Sequence, residues 1–157
     1  KSEVAIYTNL YGLSMTIAGG LFGGLLIHRF GIASMLVAGS ILAPLTNLLF
    51  LLLNNVGRDL SFLVLTITAD NFTQGFVVVV VISLLSSIVS KTYTATQYAG
   101  LFLLGTLPSR LISSSSGFIV DSYGFGDFFI LCALSGVPAI LFTIILVNSS
   151  FKLSLKD

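Results

Sequence analysis

The sequence predicts an all-α membrane protein, a polytopic bundle of five transmembrane helices that forms one domain over residues 1–157. Composition is the first reason: 55% of the residues are hydrophobic, 8% are charged, and the mean hydropathy is +1.06. Soluble domains carry about 25% charged residues. The second reason is the length of the apolar runs, because about 20 apolar residues cross the bilayer as a helix, whereas strands of membrane barrels alternate over only about 10 residues.

Charged residues separate the apolar runs and so set the expected helices. These helices cover approximately residues 4–27, 32–54, 60–90, 94–120 and 127–151. The first ends before His28 and Arg29, and the third ends before Lys91. Asp59 and Asp127 stand at expected N-caps, and the string Thr94-Ala95-Thr96-Gln97 has the form of a capping box.

Glycines are concentrated in the first predicted helix. Gly19 and Gly23, and likewise Gly20 and Gly24, form two overlapping Gly-x-x-x-Gly pairs. Small residues at this spacing let a neighbouring helix backbone approach closely in a membrane. We therefore expect this face to serve helix packing.

The distribution of basic residues predicts the orientation, because cytoplasmic loops are enriched in Lys and Arg. With five crossings, one side of the membrane holds the larger set of basic residues, namely Arg29, Lys91, Lys152 and Lys156. The other side holds the smaller set, Lys1 and Arg58. The larger set is expected on the cytoplasmic side. The N-terminus is then outside the cell and the C-terminus in the cytoplasm.

Several functional classes are excluded by the residue counts. Seven basic residues against six acidic ones cannot form a nucleic-acid surface. One histidine, His28, and one cysteine, Cys132, leave no metal-ligand set and no nucleophile with a base. We expect no enzyme activity, no metal and no cofactor.

Two ionisable residues lie deep inside predicted helices. Asp70 and Arg110 are each about 11 residues from the outer boundary, or roughly 16 Å at 1.5 Å per residue. An ionisable group at this depth is costly and marks a functional site by default. Polar residues at helical spacing form a polar stripe around each of the two positions. The residues are Thr66, Asn71, Thr73 and Gln74 around Asp70, and Thr106, Ser113 and Ser114 around Arg110.

Two interpretations of these charges remain open. In one, Asp70 and Arg110 form a structural ion pair between helices, and the stripes make interhelical hydrogen bonds. In the other, the stripes line a water-filled pathway where Asp70 exchanges a proton, since an apolar environment favours the neutral carboxyl form. Arg110 would then hold an anionic substrate group or adjust the proton affinity of Asp70.

Several strings resemble a known family of transporters. The loop string Gly24-Leu-Leu-Ile-His28-Arg29-Phe-Gly31 resembles the Gly-x-x-x-Asp-Arg-x-Gly signature of the major facilitator superfamily, with His28 where Asp is usual. The string from Ala69 to Gly75, the string from Lys91 to Ala99, and the region from Gly117 to Phe129 are similar to AmpG-type muropeptide permeases. The resemblance covers essentially the whole chain.

The resemblance implies a fold, a function and a location. The chain would be the last five of twelve helices, part of the C-terminal half of a major-facilitator fold in the bacterial inner membrane. It would take part in proton-coupled import of anhydromuropeptides, with an N-terminal six-helix half as partner, in cis or in trans. By position, Asp70 is the proton-coupling candidate, and Asn71, Gln74 and Arg110 are substrate-pathway candidates.

Two alternatives to this function stay open. The chain could be a non-transporting membrane module or remnant, in which the buried charges and glycine faces serve assembly alone. It could also belong to a facilitator-type carrier of another small solute, because a few side chains decide the specificity of a cavity.

Overall fold

A computed structural model of the chain describes residues 2–56, 59–89, 94–114 and 116–149, and these residues form four helices. They are α1 (Ser2–Val56), α2 (Leu60–Ile88), α3 (Thr94–Ser114) and α4 (Ser116–Asn148). Within them, three stretches are long and apolar enough to cross a membrane, namely Asn9–Val56, Leu60–Ile88 and Ser116–Asn148. The expectation of an all-helical membrane protein is confirmed.

Helix α1 is interrupted at Gly31, where the backbone has φ 82° and ψ 159°. We call residues 2–30 the first segment and residues 32–56 the second segment. Gly12 approaches Asn71 of α2, and Gly23 approaches Phe76, so the first segment and α2 run in the same direction. In the second segment Gly39 approaches Val77, whereas Asn47 lies beside Asp70. The second segment therefore runs the opposite way, and the chain reverses at Gly31.

Helix α4 has a similar interruption at Gly124, with φ 85° and ψ 170°. Beyond it, α4 packs antiparallel to the second segment of α1. Gly126 lies near Asn54, the rings of Phe50 and Phe129 stack with centroids 5.3 Å apart, and Gly136 lies against Pro44. The second segment is thus packed between α2 and α4.

The observed helix ends differ in places from the expected ones. The N-cap at Asp59 is confirmed, because its carboxylate accepts hydrogen bonds from the backbone N–H groups of Ser61 at 2.8 Å and Phe62 at 3.1 Å. The third predicted helix ends two residues early, at Ile88, because Val89 is extended. The N-cap at Asp127 is wrong, since Asp127 lies within α4. Gly124 makes the turn instead, as it lacks the Cβ that disfavours a positive φ.

The helix expected over 94–120 is divided between two observed elements. α3 ends at Ser114 and α4 begins at Ser116, with residue 115 outside the described part of the chain. The last predicted helix corresponds to α4 beyond Gly124 and ends at Asn148. Its expected end at residue 151 lies outside the described residues, as does the side chain of Thr94 in the expected capping box.

The buried residues of the described helices are mainly glycines and threonines, together with Phe76 and Val80. A Cβ at Gly19 would overlap the carbonyl oxygen of Phe72, and one at Gly75 would overlap that of Thr16. We call this contact between the first segment and α2 the glycine interface. Larger side chains such as Leu21, Leu25 and Leu104 are mostly exposed. An apolar exterior over a small-residue interior is the arrangement expected in lipid.

Candidate functional site

A half-open polar cleft of about 310 Å³ lies between the second segment of α1 and α2. Polar side chains reach it from both walls. Its lining residues are Ala43, Thr46 and Asn47 on the second segment and Asp70, Thr73, Gln74, Val77 and Val78 on α2. Of two other cavities, one is lined by aliphatic side chains and proline alone, and the other by leucines, Ala69, Phe72 and three threonines. Of these three cavities in the described part of the chain, the cleft is the one that contains a carboxylate and side-chain amides.

Asp70 and Gln74 act as a unit on the α2 wall. They are one helical turn apart, and Gln74 donates a hydrogen bond from Nε2 to Asp70 Oδ2 at 3.0 Å. This bond holds the carboxylate in place and leaves its second oxygen free of that contact. Asp70 is half-buried and Gln74 is exposed. The structure thus brings together two of the four residues that the sequence singles out for the pathway.

Asn71 lies on another face of α2 and contacts the first segment. Its amide donates to the Ile67 carbonyl at 2.8 Å, and its Oδ1 accepts from the Thr16 hydroxyl at 3.4 Å. One turn earlier, the hydroxyl groups of Tyr11 and Thr68 are 3.0 Å apart. These contacts join two helices that run in the same direction. Asn71 therefore belongs to helix packing here and does not line the cleft.

Arg110 lies apart from Asp70 in this structure. It is exposed on α3, and α3 contacts its neighbours only slightly within the described residues. Between these two described side chains there is no ion pair. The structural ion pair weighed from the sequence is therefore not formed between these two residues in this structure.

The loop with the facilitator-type signature lies at the reversal of α1. Gly24, His28 and Arg29 are exposed, and a Cβ at Gly24 would meet nothing within 4 Å. The Arg29 guanidinium lies 5.5 Å from the centroid of the Phe30 ring, within the range of a cation–π interaction. Gly31 is the residue with positive φ. In this structure the signature therefore makes a turn.

Sequence reasoning about ionisable groups misses Thr46 and Asn47. Thr46 is buried at 6% exposure, and its hydroxyl donates to the Ala43 carbonyl at 2.8 Å. The Asn47 amide makes only a long contact of 3.4 Å with the same carbonyl. Asn47 could have been found from the sequence as an amide well inside an otherwise apolar helix. Uncharged polar groups in a membrane also need hydrogen-bond partners, so such an amide indicates a polar contact or site.

No family model matches the chain, but curated relatives do. It is 31% identical over 149 residues to the provisionally named transporter AmpG 4 of Rickettsia conorii, covering 95% of this chain and 36% of the relative. It is 33% identical over 130 residues to the similarly named AmpG 3 of Rickettsia prowazekii, covering 83% and 31%. It is 25% identical over 143 residues to the anhydromuropeptide permease of Escherichia coli, covering 91% and 29%.

These relatives are named as transporters or as a permease, and such proteins are not enzymes. Together with the long apolar helices, they identify a multi-pass membrane protein. The chain spans about a third of the length of the relatives that it matches.

Proposed function

The chain is related to the AmpG-type permeases, and from that relationship we propose that it is part of a proton-coupled muropeptide transporter in the bacterial inner membrane. One observation carries the proposal: the cleft holds a carboxylate and two amides within a bundle of apolar helices. A charged group in the membrane interior is expensive and is retained where it serves a pathway. Anhydromuropeptides are the proposed cargo because one relative is named for them.

The fold that we propose has five crossings and is the C-terminal part of a major-facilitator transporter. α1 has 55 residues and would be roughly 80 Å long as one straight helix, far more than the hydrocarbon thickness of about 30 Å. Its reversal at Gly31 supports two crossings. α2 supplies the third. α3 with the beginning of α4 supplies the fourth, and α4 beyond Gly124 supplies the fifth.

The orientation in this proposal follows the basic residues. Arg29 lies at the reversal of α1, and the proposal places it in the cytoplasm with Lys91 and the C-terminus. The N-terminus is outside. Cleavage at a protease site added after Asp157 should occur only from the cytoplasmic face, and cleavage from outside would contradict this orientation.

Within the site, we assign proton exchange to Asp70. Gln74 positions the carboxylate by its hydrogen bond of 3.0 Å. Arg110 is assigned to an anionic group of the substrate, because its exposed guanidinium is not neutralised by Asp70. Asn71 has only an indirect role in the proposed pathway, as the residue next to Asp70 in α2, because its own amide contacts the first segment.

A partner follows from the way such transporters work. Facilitator-type carriers bind substrate between two halves that rock around a central site, and the described helices supply one wall. We propose that an N-terminal six-helix half, in cis or in trans, supplies the other.

The test is uptake of a labelled anhydromuropeptide into proteoliposomes under an imposed pH gradient. The chain alone is compared with the chain reconstituted together with the N-terminal half of an AmpG-type relative. Uptake in the mixture that disappears when the pH gradient is collapsed supports the proposal. No uptake in either preparation would refute it and favour a non-transporting module, and uptake of an unrelated solute in its place would favour another carrier.

A further inference from the structure

Pro44 lies in the middle of the second segment of α1, at the level of the polar cleft. Its neighbours Ala43, Thr46 and Asn47 line the cleft towards α2, whereas its own ring faces α4. A proline inside a helix cannot donate to the carbonyl four residues earlier, here that of Ser40, and its ring crowds the preceding turn. Such a helix bends away from the side that carries the ring. We therefore expect the middle of the second segment to bow towards α4 and away from α2.

Gly136 of α4 receives the proline ring. A Cβ at Gly136 would lie 2.6 Å from Pro44 Cγ and 2.7 Å from Pro44 Cβ, well below the roughly 3.5–4.0 Å at which carbon atoms pack best. Both atoms belong to a rigid ring, so neither can turn aside. Beside this contact lies a half-open apolar cavity of about 340 Å³, which Ile41, Leu45 and Leu48 line from the second segment. At this level the two helices therefore approach most closely where the ring meets the glycine.

Aromatic rings hold α4 to the second segment near this contact. Phe129 stacks on Phe50 with centroids 5.3 Å apart, and it precedes Gly136 by about two helical turns, or roughly 10 Å. On its other face, the second segment borders the cleft, which offers about 310 Å³ of space. A push from α4 on Pro44 should therefore move the second segment towards α2 and narrow the cleft.

We infer that Pro44 and Gly136 are positioning residues that set the width of the cleft around Asp70. The ring seated on the glycine holds the wall that carries Asn47 away from α2. Neither residue belongs to the lining of the cleft, so both act on it through the second segment. The consequence for transport rests on the proposed function, because the width matters to a substrate only if the cleft is its pathway. The width itself can be measured without a substrate.

The test measures how fast a thiol in the cleft reacts with reagents of two sizes. Asn47→Cys supplies the thiol in a chain whose one cysteine is removed by Cys132→Ala, and the protein is placed in lipid nanodiscs. The reagents are methyl methanethiosulfonate and the bulkier benzyl methanethiosulfonate, both uncharged, and adducts are followed by mass spectrometry. Gly136→Ala should displace the overlapping carbon atoms by about 1 Å. We expect the ratio of the bulky to the small rate constant to fall by about 5-fold or more, the lower range for an overpacked contact.

Pro44→Gly and the double variant show whether the two residues act together. Pro44→Gly removes the ring and restores an N–H donor for the Ser40 carbonyl, so the second segment should straighten and the ratio should fall. Adding Gly136→Ala to Pro44→Gly should change the ratio little further, because the ring that it overlaps is gone. Two matched controls should keep the original ratio. They are Pro138→Ala, outside the lining of the apolar cavity, and Gly117→Ala, where a Cβ would meet nothing within 4 Å.

The inference is overturned if Gly136→Ala leaves the ratio unchanged, or if it lowers the ratio equally with and without the ring of Pro44. A variant that unfolds would react faster with both reagents; if Gly136→Ala does so, Pro44→Gly alone decides, and an unchanged ratio there also overturns the inference. Uptake by the transporter together with an unchanged ratio in Gly136→Ala would refute this inference alone. A lowered ratio without any uptake would refute the proposed function alone.

Discussion

Replacing Gly19 by alanine should separate the first segment of α1 from α2. The added Cβ would overlap the backbone carbonyl oxygen of Phe72, and a backbone atom cannot rotate away as a side chain can. The two helices must therefore move apart along the glycine interface. Overpacking of this kind lowers the free energy of unfolding by about 1–3 kcal/mol. The higher helix propensity of alanine raises it by up to about 1 kcal/mol. We expect a net loss of about 1–2 kcal/mol.

Gly24→Ala is the matched control on the same helix. A Cβ at Gly24 would meet nothing within 4 Å, so this variant should gain about 0.5–1 kcal/mol from helix propensity alone. The reciprocal variant Gly75→Ala should resemble Gly19→Ala, because its Cβ would overlap the Thr16 carbonyl oxygen. The three variants thus separate close packing from helix propensity.

The assay is reversible unfolding in mixed micelles with increasing SDS, followed by tyrosine fluorescence. Tyr11 is a suitable reporter because its hydroxyl lies 3.0 Å from that of Thr68 across the two helices. Gly19→Ala should unfold at lower SDS than the unaltered chain, and Gly24→Ala at the same or higher SDS. Equal midpoints for Gly19→Ala and Gly24→Ala would refute the close approach of the two backbones.

Three further changes test the turn, the cap and the site. Gly31→Ala should lower the free energy of unfolding by about 1–3 kcal/mol in the same assay, because φ is 82° there. Gly105→Ala is the control: Gly105 lies in a helix with open space around it, so this variant should not lower the free energy of unfolding. Asp59→Ala should lose about 1 kcal/mol of helix capping and Asp59→Asn almost none; equal losses would contradict the cap. Asp70→Asn should leave the unfolding midpoint nearly unchanged but abolish proton-driven uptake into proteoliposomes, and unchanged uptake would leave Asp70 a structural role only.

The helices could be predicted from the sequence because lipid requires long apolar runs with internally paired backbones. Charged residues mark the ends well at Asp59, where a side chain caps the helix. They mark them poorly at Asp127, because the helix interruption there depends on the backbone freedom of Gly124. A glycine turn between two apolar helices needs no charge and no polar loop, so composition alone does not place it.

The site could be predicted only in part. Asp70 and Gln74 share a helix face, and their pairing follows from helical spacing alone. The contact of Asn71 with the first segment does not, because it depends on the direction in which two distant helices meet. The same is true of Asn47, which reaches the cleft only after the chain has reversed at Gly31. No spacing rule within one helix reports such contacts.

The direction of these helices also fixes the order in which the bundle can assemble. The first segment and α2 run in the same direction, and their polar contacts join residues 55 and 57 positions apart in the chain. They cannot meet as a simple hairpin, so in the proposed five-crossing topology the second segment has returned through the membrane before the glycine interface closes. Insertion into the bilayer and closure of this interface are then separate steps. A substitution at Gly19 should consequently leave membrane integration by the translocon intact and appear only afterwards, as a helix that is correctly inserted but not packed.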